Sequence, residues 1–278
     1  MGTPIEPISA DSGRAVSARG LSLALCLCAF AHLSAVPTCA GTGSSGGYFL
    51  RMIQSPRASA MGEGGAGLYG DLLGALALNP AALGRTGYNE LAFTYSSWLE
   101  EISTQQLAYA RPLPDKSVLA ASLSLLEMGS FPGYDNSGGR AGSADAGDMA
   151  ASLHYARRIY GPWEDRRFGV FAGAGVKYAR EFLDNASADT LLYDTGLLSV
   201  SRFSGGVLGL GVSAQSLGRG FKFDSVRDRA PTVFRAGAAW IIPVWGDPLT
   251  LALDVKKPSD DKTAYSAGLE YIVGGLVA

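Results

Sequence analysis

From about residue 90 onward, apolar and polar positions alternate. Leu91, Phe93 and Tyr95 begin the pattern, and Leu107 and Tyr109 continue it. Leu119, Ala121, Leu123 and Leu125 follow, then Ala151, Leu153 and Tyr155, then Val170, Ala172, Ala174, Val176 and Tyr178. A segment near 191–203 precedes Leu208, Leu210, Val212 and Ala214. Further runs carry Phe234, Ala236, Ala238, Trp240 and Ile242, then Leu249, Leu251, Leu253 and Val255, then Tyr265, Ala267, Leu269, Tyr271 and Val273. A period of two places these side chains on one face of a strand, and the pattern predicts about ten strands of roughly 8–13 residues.

The other face of each run is small or polar. It holds Gln106, Ser122, Ser124, Ser152, His154, Arg158, Lys177, Arg235, Asp254 and Glu270, with glycines at 173, 175, 237 and 268. Strands of about ten residues with an apolar band and a polar partner face suit a transmembrane barrel, whereas sandwich strands average about 5–6. Connections alternate between short (112–116, 159–165, 205–206, 243–248) and longer polar ones (128–147, 181–190, 216–231, 257–263). That is the rhythm of periplasmic turns and external loops. Tyr95, Trp98, Tyr109, Tyr155, Tyr178, Tyr265 and Tyr271 near strand ends fit interfacial girdles. The fold class expected is therefore all-β, a transmembrane antiparallel barrel.

The first 40 residues read differently. Arg14 and Arg19 precede an apolar run from Leu21 to Ala35, and Thr38-Cys39-Ala40 supplies small residues for cleavage. This is the layout of a secretory signal peptide, and the run is too short for a membrane anchor of about 20 residues. All three cysteines (Cys26, Cys28 and Cys39) fall here, so no disulfide is expected in the mature chain. The expected divisions are a signal peptide at 1–40, an N-terminal hatch or plug at 41–88, and the barrel at 89–278.

Between signal and first strand lies SAMGEGGAGLYGDLLGALALNPAALGR, residues 59–85. Gly62, Gly64 and Gly65 lack the lysine motif and strand–loop–helix context of a phosphate loop. Glu63, Asp71 and the glycine density rule out a membrane helix. Leu68, Leu72, Leu73, Leu76 and Leu78 fit a short helix within 66–78, stopped by Asn79-Pro80.

This stretch, with Arg57-Ala58, Met61-Gly62, Asp71 and Asn79-Pro80-Ala81, resembles the N-terminus of the PorV/PorQ family of outer-membrane proteins. That family is similar to the FadL-like, long-chain fatty-acid transporter-like barrels. The resemblance implies a 14-stranded barrel with the N-terminal segment folded inside as a hatch. The hatch motif would then be Arg57, Met61, Gly62, Asp71, Asn79 and Pro80. About ten strands are four short of the implied number, so the resemblance also implies missing C-terminal strands.

Charge and chemistry narrow the functions. The net charge of −2 does not favour a nucleic-acid partner, and charged residues make up only 17%. Outside the signal the only histidine is His154, with no nucleophile–base set and no metal spacing around it. Asp135, Asn136, Asp145 and Asp148 lack the spacing of a calcium loop. The expectation is no enzyme, no cofactor and no metal. His154, Arg158, Lys177, Arg235, Asp254 and Glu270 are expected to face the lumen and pair with each other and the hatch. Asp260-Asp261 and Glu100-Glu101 read as loop charges.

Three functions stay open at this point. One is transport of hydrophobic small molecules through a gated barrel. A second, implied by the resemblance, is type IX protein secretion or attachment, with secretion components or cargo proteins as partners. The third is a soluble secreted sandwich. The first two place the protein in outer-membrane lipid of a Gram-negative-type cell.

Overall fold

The computed structural model describes residues 44–98, 102–134, 137–161, 167–184, 186–223, 226–273 and 276–277. The segment read as a signal peptide lies outside these residues. So do Glu100, Glu101, Asp135 and Asn136.

Thirteen strands are described: β1 (Glu90–Ser97), β2 (Ser103–Pro112), β3 (Val118–Tyr134), β4 (Arg140–Tyr160), β5 (Phe168–Leu183), β6 (Ala186–Phe203), β7 (Gly206–Gly218), β8 (Lys222–Phe223), β9 (Val226–Arg227), β10 (Val233–Val244), β11 (Asp247–Pro258), β12 (Ala264–Val273) and β13 (Leu276–Val277). Eleven of them form one antiparallel sheet in chain order, and β8–β9 is a small hairpin within the β7–β10 connection. Every sheet neighbour is a sequence neighbour once that hairpin is set aside, so the fold is an all-β meander. No ladder between β1 and β13 is recorded among the described residues.

The sheet separates side chains by chemistry in an unusual sense. Leu91, Phe93, Tyr95, Leu107, Leu153, Tyr193, Leu251, Leu253, Tyr265 and Leu269 are exposed. Gln106, His154, Arg158, Asp194, Arg235, Asp254 and Glu270 are buried. Strand β6 shows the alternation residue by residue: Asp189, Leu191, Tyr193, Thr195 and Leu197 face out, while Thr190, Leu192, Asp194 and Leu198 face in. A soluble sheet with one solvated face puts its apolar side chains in the core and polar ones outside.

Four strands exceed the expected 8–13 residues. Strands β3, β4, β5 and β6 have 17, 21, 16 and 18 residues. The stretches 128–147 and 181–190, expected as loops, instead continue the ladders, with Ser130 opposite Asp145 and Leu183 opposite Ala186. Backbone pairing needs no apolar side chain, so small polar residues extend a hairpin whose apolar pattern has ended. The β3–β4 ladder shifts register between Glu127 and Ser130, where Gly129 takes φ 68°, the mark of a bulge. The β5–β6 turn bends at Asp184 with φ 51°. At the opposite end, Trp245 (φ 51°) and Gly246 (φ 95°) close β10–β11 in a two-residue turn, the mirror-image form that matches strand twist.

The N-terminal segment 44–88 packs on the polar face of the sheet. It holds a 3₁₀ turn (Tyr48–Arg51), a short helix (Pro56–Ala60), a second helix (Leu72–Leu78) and a 3₁₀ turn (Pro80–Arg85). The predicted helix over 66–78 is therefore confined to its last two turns. Glycines 62 to 70 keep the earlier part in turns, with φ 62° at Gly62 and 82° at Gly70. The segment enters beside the β5–β6 and β11–β12 turns, where Gly47 and Ser45 meet Glu181 and Asp260. It leaves at the opposite end, where Leu72 N donates to Glu90 Oε1 (3.3 Å). Leu72, Leu73, Leu76 and Leu83 pack with Ala108, Ala120, Phe171 and Leu198 of β2, β3, β5 and β6. Met61 packs with Ala239 and Ala252 of β10 and β11. Apolar core thus forms between the segment and inward-facing residues of the sheet, while most of the sheet's large apolar side chains are exposed on its other face.

Candidate functional site

The contact between segment 44–88 and the wall concentrates the polar chemistry of the molecule. Its centre is Asn79, 1% exposed. The Asn79 side-chain amide donates to Ala66 O (2.8 Å) and Leu197 O (3.0 Å), and its Oδ1 accepts from Ala81 N (3.1 Å). Asn79 joins two parts of the segment to β6 while capping the turn that begins at Pro80, where proline supplies the fixed φ and needs no donor. The wall is shaped for it. A Cβ on Gly196 would fall on Asn79 Oδ1, and one on Gly211 on Ala66 O. Ser213 Oγ and Gln215 Nε2 of β7 donate to Leu78 O (2.6 Å) and Leu76 O (3.2 Å), answering carbonyls at the helix end.

Arg57 makes the second latch. Its Nε and Nη2 donate to Glu270 Oε1 (2.7 Å) and Oε2 (2.6 Å) on β12, a bidentate pair, and Nη1 reaches Tyr69 O (3.2 Å). Asp71 Oδ2 accepts from Ser55 Oγ (2.5 Å), and Ser55 Oγ caps the first helix by accepting from Ala58 N (3.0 Å). Met61 is buried, and Gly62 turns beneath the Ala267 carbonyl. Glu63 pairs with Lys256 of β11, and its carbonyl accepts from Arg235 Nη1 (3.1 Å). Asp254 Oδ2 accepts from Ala66 N (2.9 Å).

A third cluster sits inside the wall. His154 Nε2 and Lys177 Nζ each lie 3.0 Å from Asp194 Oδ2, and Ser216 N donates to Asp194 Oδ1 (2.7 Å). Ser152 Oγ is 3.3 Å from His154 Nδ1 and 2.7 Å from Ser122 Oγ. Asp194 is the hub, and sequence reasoning did not single it out. Its signal was the register within β6, where it alternates with Leu191, Tyr193, Thr195 and Leu197. Arg158 lies apart from these clusters, donating to Phe168 O and Tyr160 O with its guanidinium over the Phe171 ring.

Asp260, read from sequence as a loop charge, is an anchor. It is buried and accepts from Ser45 N (3.0 Å), Ser45 Oγ and Arg51. Burial alone would raise its pKa, but the hydrogen bonds from Ser45 and Arg51 and the Arg51 charge together hold it below the ordinary carboxylate value.

Cavities lie where the segment leaves space. One of about 160 Å³ is bounded by Leu50, Ile53, Leu76, Lys177, Arg235 and Lys256. A smaller one of about 50 Å³ lies beside Gln106, Ser122, Ser152 and His154. An open groove of about 800 Å³ runs between the first helix and β12, lined by Pro56, Ala60, Met61, Tyr69, Leu269 and Ile272. Among the described residues no group of three or more His, Cys, Asp or Glu is placed to hold a metal ion, and no helix is long and apolar enough to cross a membrane. No protein-family model matches the chain, and no curated protein matches it.

Proposed function

We propose that the chain is an outer-membrane β-barrel protein of the PorV/PorQ type, plugged by residues 44–88 and serving protein secretion or attachment at, or transport across, that membrane. One observation carries the membrane reading. The sheet exposes large apolar side chains and buries charged ones, and lipid is the solvent in which that arrangement is stable. The sandwich reading requires a second layer over Leu251, Leu253, Leu269 and Phe93, and those side chains are exposed.

Strand length favours the secretion branch. About 9–11 tilted residues cross a bilayer. Strands β3 to β6 have 16 to 21, so about 5–12 residues of each project beyond the bilayer as a paired sheet, a platform for a protein partner. The groove of about 800 Å³ beside β12 favours the second reading, a FadL-like path for hydrophobic small molecules.

Membrane fractionation tests the class. The protein should sediment with outer membranes, resist carbonate and need detergent for extraction; recovery in the aqueous phase sinks the proposal. Shortening the β3–β4 and β5–β6 hairpins separates the branches. Loss of cargo display with intact small-molecule uptake supports secretion, and the converse supports transport.

A further inference from the structure

Three carboxylates from three elements converge where residues 45–49 enter beside the long hairpins. Asp148 of β4 and Glu181 of β5 stand directly opposite each other in register, and Asp148 is buried. Like charges so placed on one face of a sheet repel. Glu181 Oε1 accepts from Gly47 N (2.5 Å). Gly46 is bracketed, since a Cβ there would lie 3.3 Å from Glu181 Oε2 and 3.3 Å from Asp228 Cβ, just after β9. The floor beneath is apolar, built from Phe49, Leu126, Ala150, Ala179 and Phe221. The surrounding cations are engaged elsewhere. Arg51 binds Asp260, Lys177 binds Asp194, Arg227 donates to Gly220 O and Arg180 to Ser187 Oγ, while Lys222 and Arg229 are exposed. Opposite Asp148 on β3 is Leu126, and His154, further along β4, is bonded to Asp194 and Ser152. Counted from the short-turn end, Asp148 and Glu181 lie beyond the roughly 9–11 residues of β4 and β5 that cross a bilayer. Burial, and then the Glu181 charge, pushes the Asp148 carboxyl up to about 7. Burial and the Asp228 charge raise Glu181 as well, against the lowering effect of Gly47 N.

We propose that Asp148, Glu181 and Asp228 form a pH-sensitive latch on the N-terminal segment, fastened while Asp148 and Glu181 share a proton and released when that proton leaves. With the proton in place, a single charge faces Gly47 N and Asp228. Without it, two opposed carboxylates sit over an apolar floor, and Glu181 relieves the repulsion by turning to water and giving up Gly47 N. The sign follows from the raised carboxyl. Asp148 in the fastened state holds its proton above the ordinary value of 3.8, so fastening is fully favoured below 3.8, weakens as pH rises, and has lost this support above about 7. Asp260 works in the opposite sense, at the acid end only. Leu50, Met52 and Ile53, just past the latch, wall the cavity of about 160 Å³, so release at Gly47 would open that space toward the long hairpins.

The test is hydrogen exchange of the full chain, folded in a non-ionic detergent. It reads the protection of amides 45–49 from about pH 5 to about pH 8, corrected for the intrinsic pH dependence of exchange. Protection in the parent protein should fall at least about tenfold over that range. In Asp148→Asn, which has no proton to lose at this position, it should stay within about threefold. Amides in the middle of β4 and β5 report global folding and should keep their protection throughout. If Asp148→Asn does not fold, Glu181→Gln decides. Its side-chain oxygen still accepts from Gly47 N while the opposed charge is gone, so it too should hold its protection at about pH 8. Flat protection in the parent protein overturns the latch. So does a fall as large as the parent's in folded Asp148→Asn, or in Glu181→Gln where that variant decides. Either failure leaves the membrane reading standing, because fractionation tests that reading separately.

Discussion

Replacing Leu253 by arginine separates lipid from water as the solvent of the outer face. Leu253 is at the middle of β11, between Ala238 of β10 and Ala267 of β12, and is 64% exposed. On a water-facing strand the substitution removes little and buries nothing, so the cost should stay within about 0.5 kcal/mol. On a lipid-facing strand near the bilayer midplane, arginine costs about 2–4 kcal/mol. Leu183 is the control. It is 57% exposed, also apolar, and sits at the last residue of β5, beyond the roughly 9–11 residues needed to span. Leu183→Arg should cost at most about 1 kcal/mol, the value near or outside the interface. The measurement is reversible unfolding from phospholipid vesicles by guanidinium, comparing both variants with the parent protein. A depth-dependent difference of about 2 kcal/mol is expected. Equal and negligible costs at both positions would refute the membrane orientation.

The contacts of residues 44–88 with the sheet give further predictions. Asn79→Ala removes three hydrogen bonds from a buried side chain, and at about 1 kcal/mol each should destabilise the fold by about 3 kcal/mol; a loss under about 1 kcal/mol in the same unfolding assay would show that the segment is not held there. Arg57→Met leaves the Glu270 carboxylate buried and unpaired, which should cost about 3–5 kcal/mol, and adding Glu270→Gln should recover part of it; no recovery in the double variant contradicts the latch. Gly211→Val would place a side chain in the Ala66 carbonyl, so reconstituted protein should show more frequent channel openings in planar bilayers, and unchanged conductance argues against a plug. For Asp260 the folded pKa is depressed, so its contribution to anchoring Ser45 and Arg51 is full above the ordinary value of 3.8 and fades as pH falls through the lower folded value. Protection factors for amides 44–51, corrected for the intrinsic pH dependence of exchange, should therefore fall as pH drops below 3.8 in the parent protein and be low already at neutral pH in Asp260→Asn. Equal protection at neutral pH in that variant would remove the anchor.

The strands were legible because alternation is a local property, visible in Leu249-x-Leu251-x-Leu253 without knowing any partner. Their ends were not. In 128–147 and 181–190 the side chains no longer alternate by hydrophobicity, while the backbone goes on pairing. The motif residues stood out in the sequence, but their jobs depend on contacts across more than a hundred residues. Arg57 finds Glu270, Asn79 finds Leu197, and Arg51 finds Asp260, which had looked like an ordinary loop charge. Asp194 escaped notice for a related reason. A single aspartate between Tyr193 and Thr195 carries no motif, and only the β5–β6 and β6–β7 registers bring Lys177 and Ser216 to it, with His154 one strand further. The two-turn helix Leu72–Leu78 shows a further limit, since the glycines upstream of it decided its length more than the leucine spacing did.

Heat-modifiable mobility in a sodium dodecyl sulfate gel tests the central claim most directly. A membrane barrel whose backbone groups are all paired resists the detergent until boiled, so the folded protein should migrate faster unheated than boiled, after extraction that required detergent. Identical mobility before and after boiling, with the protein soluble in the absence of detergent, would contradict the account.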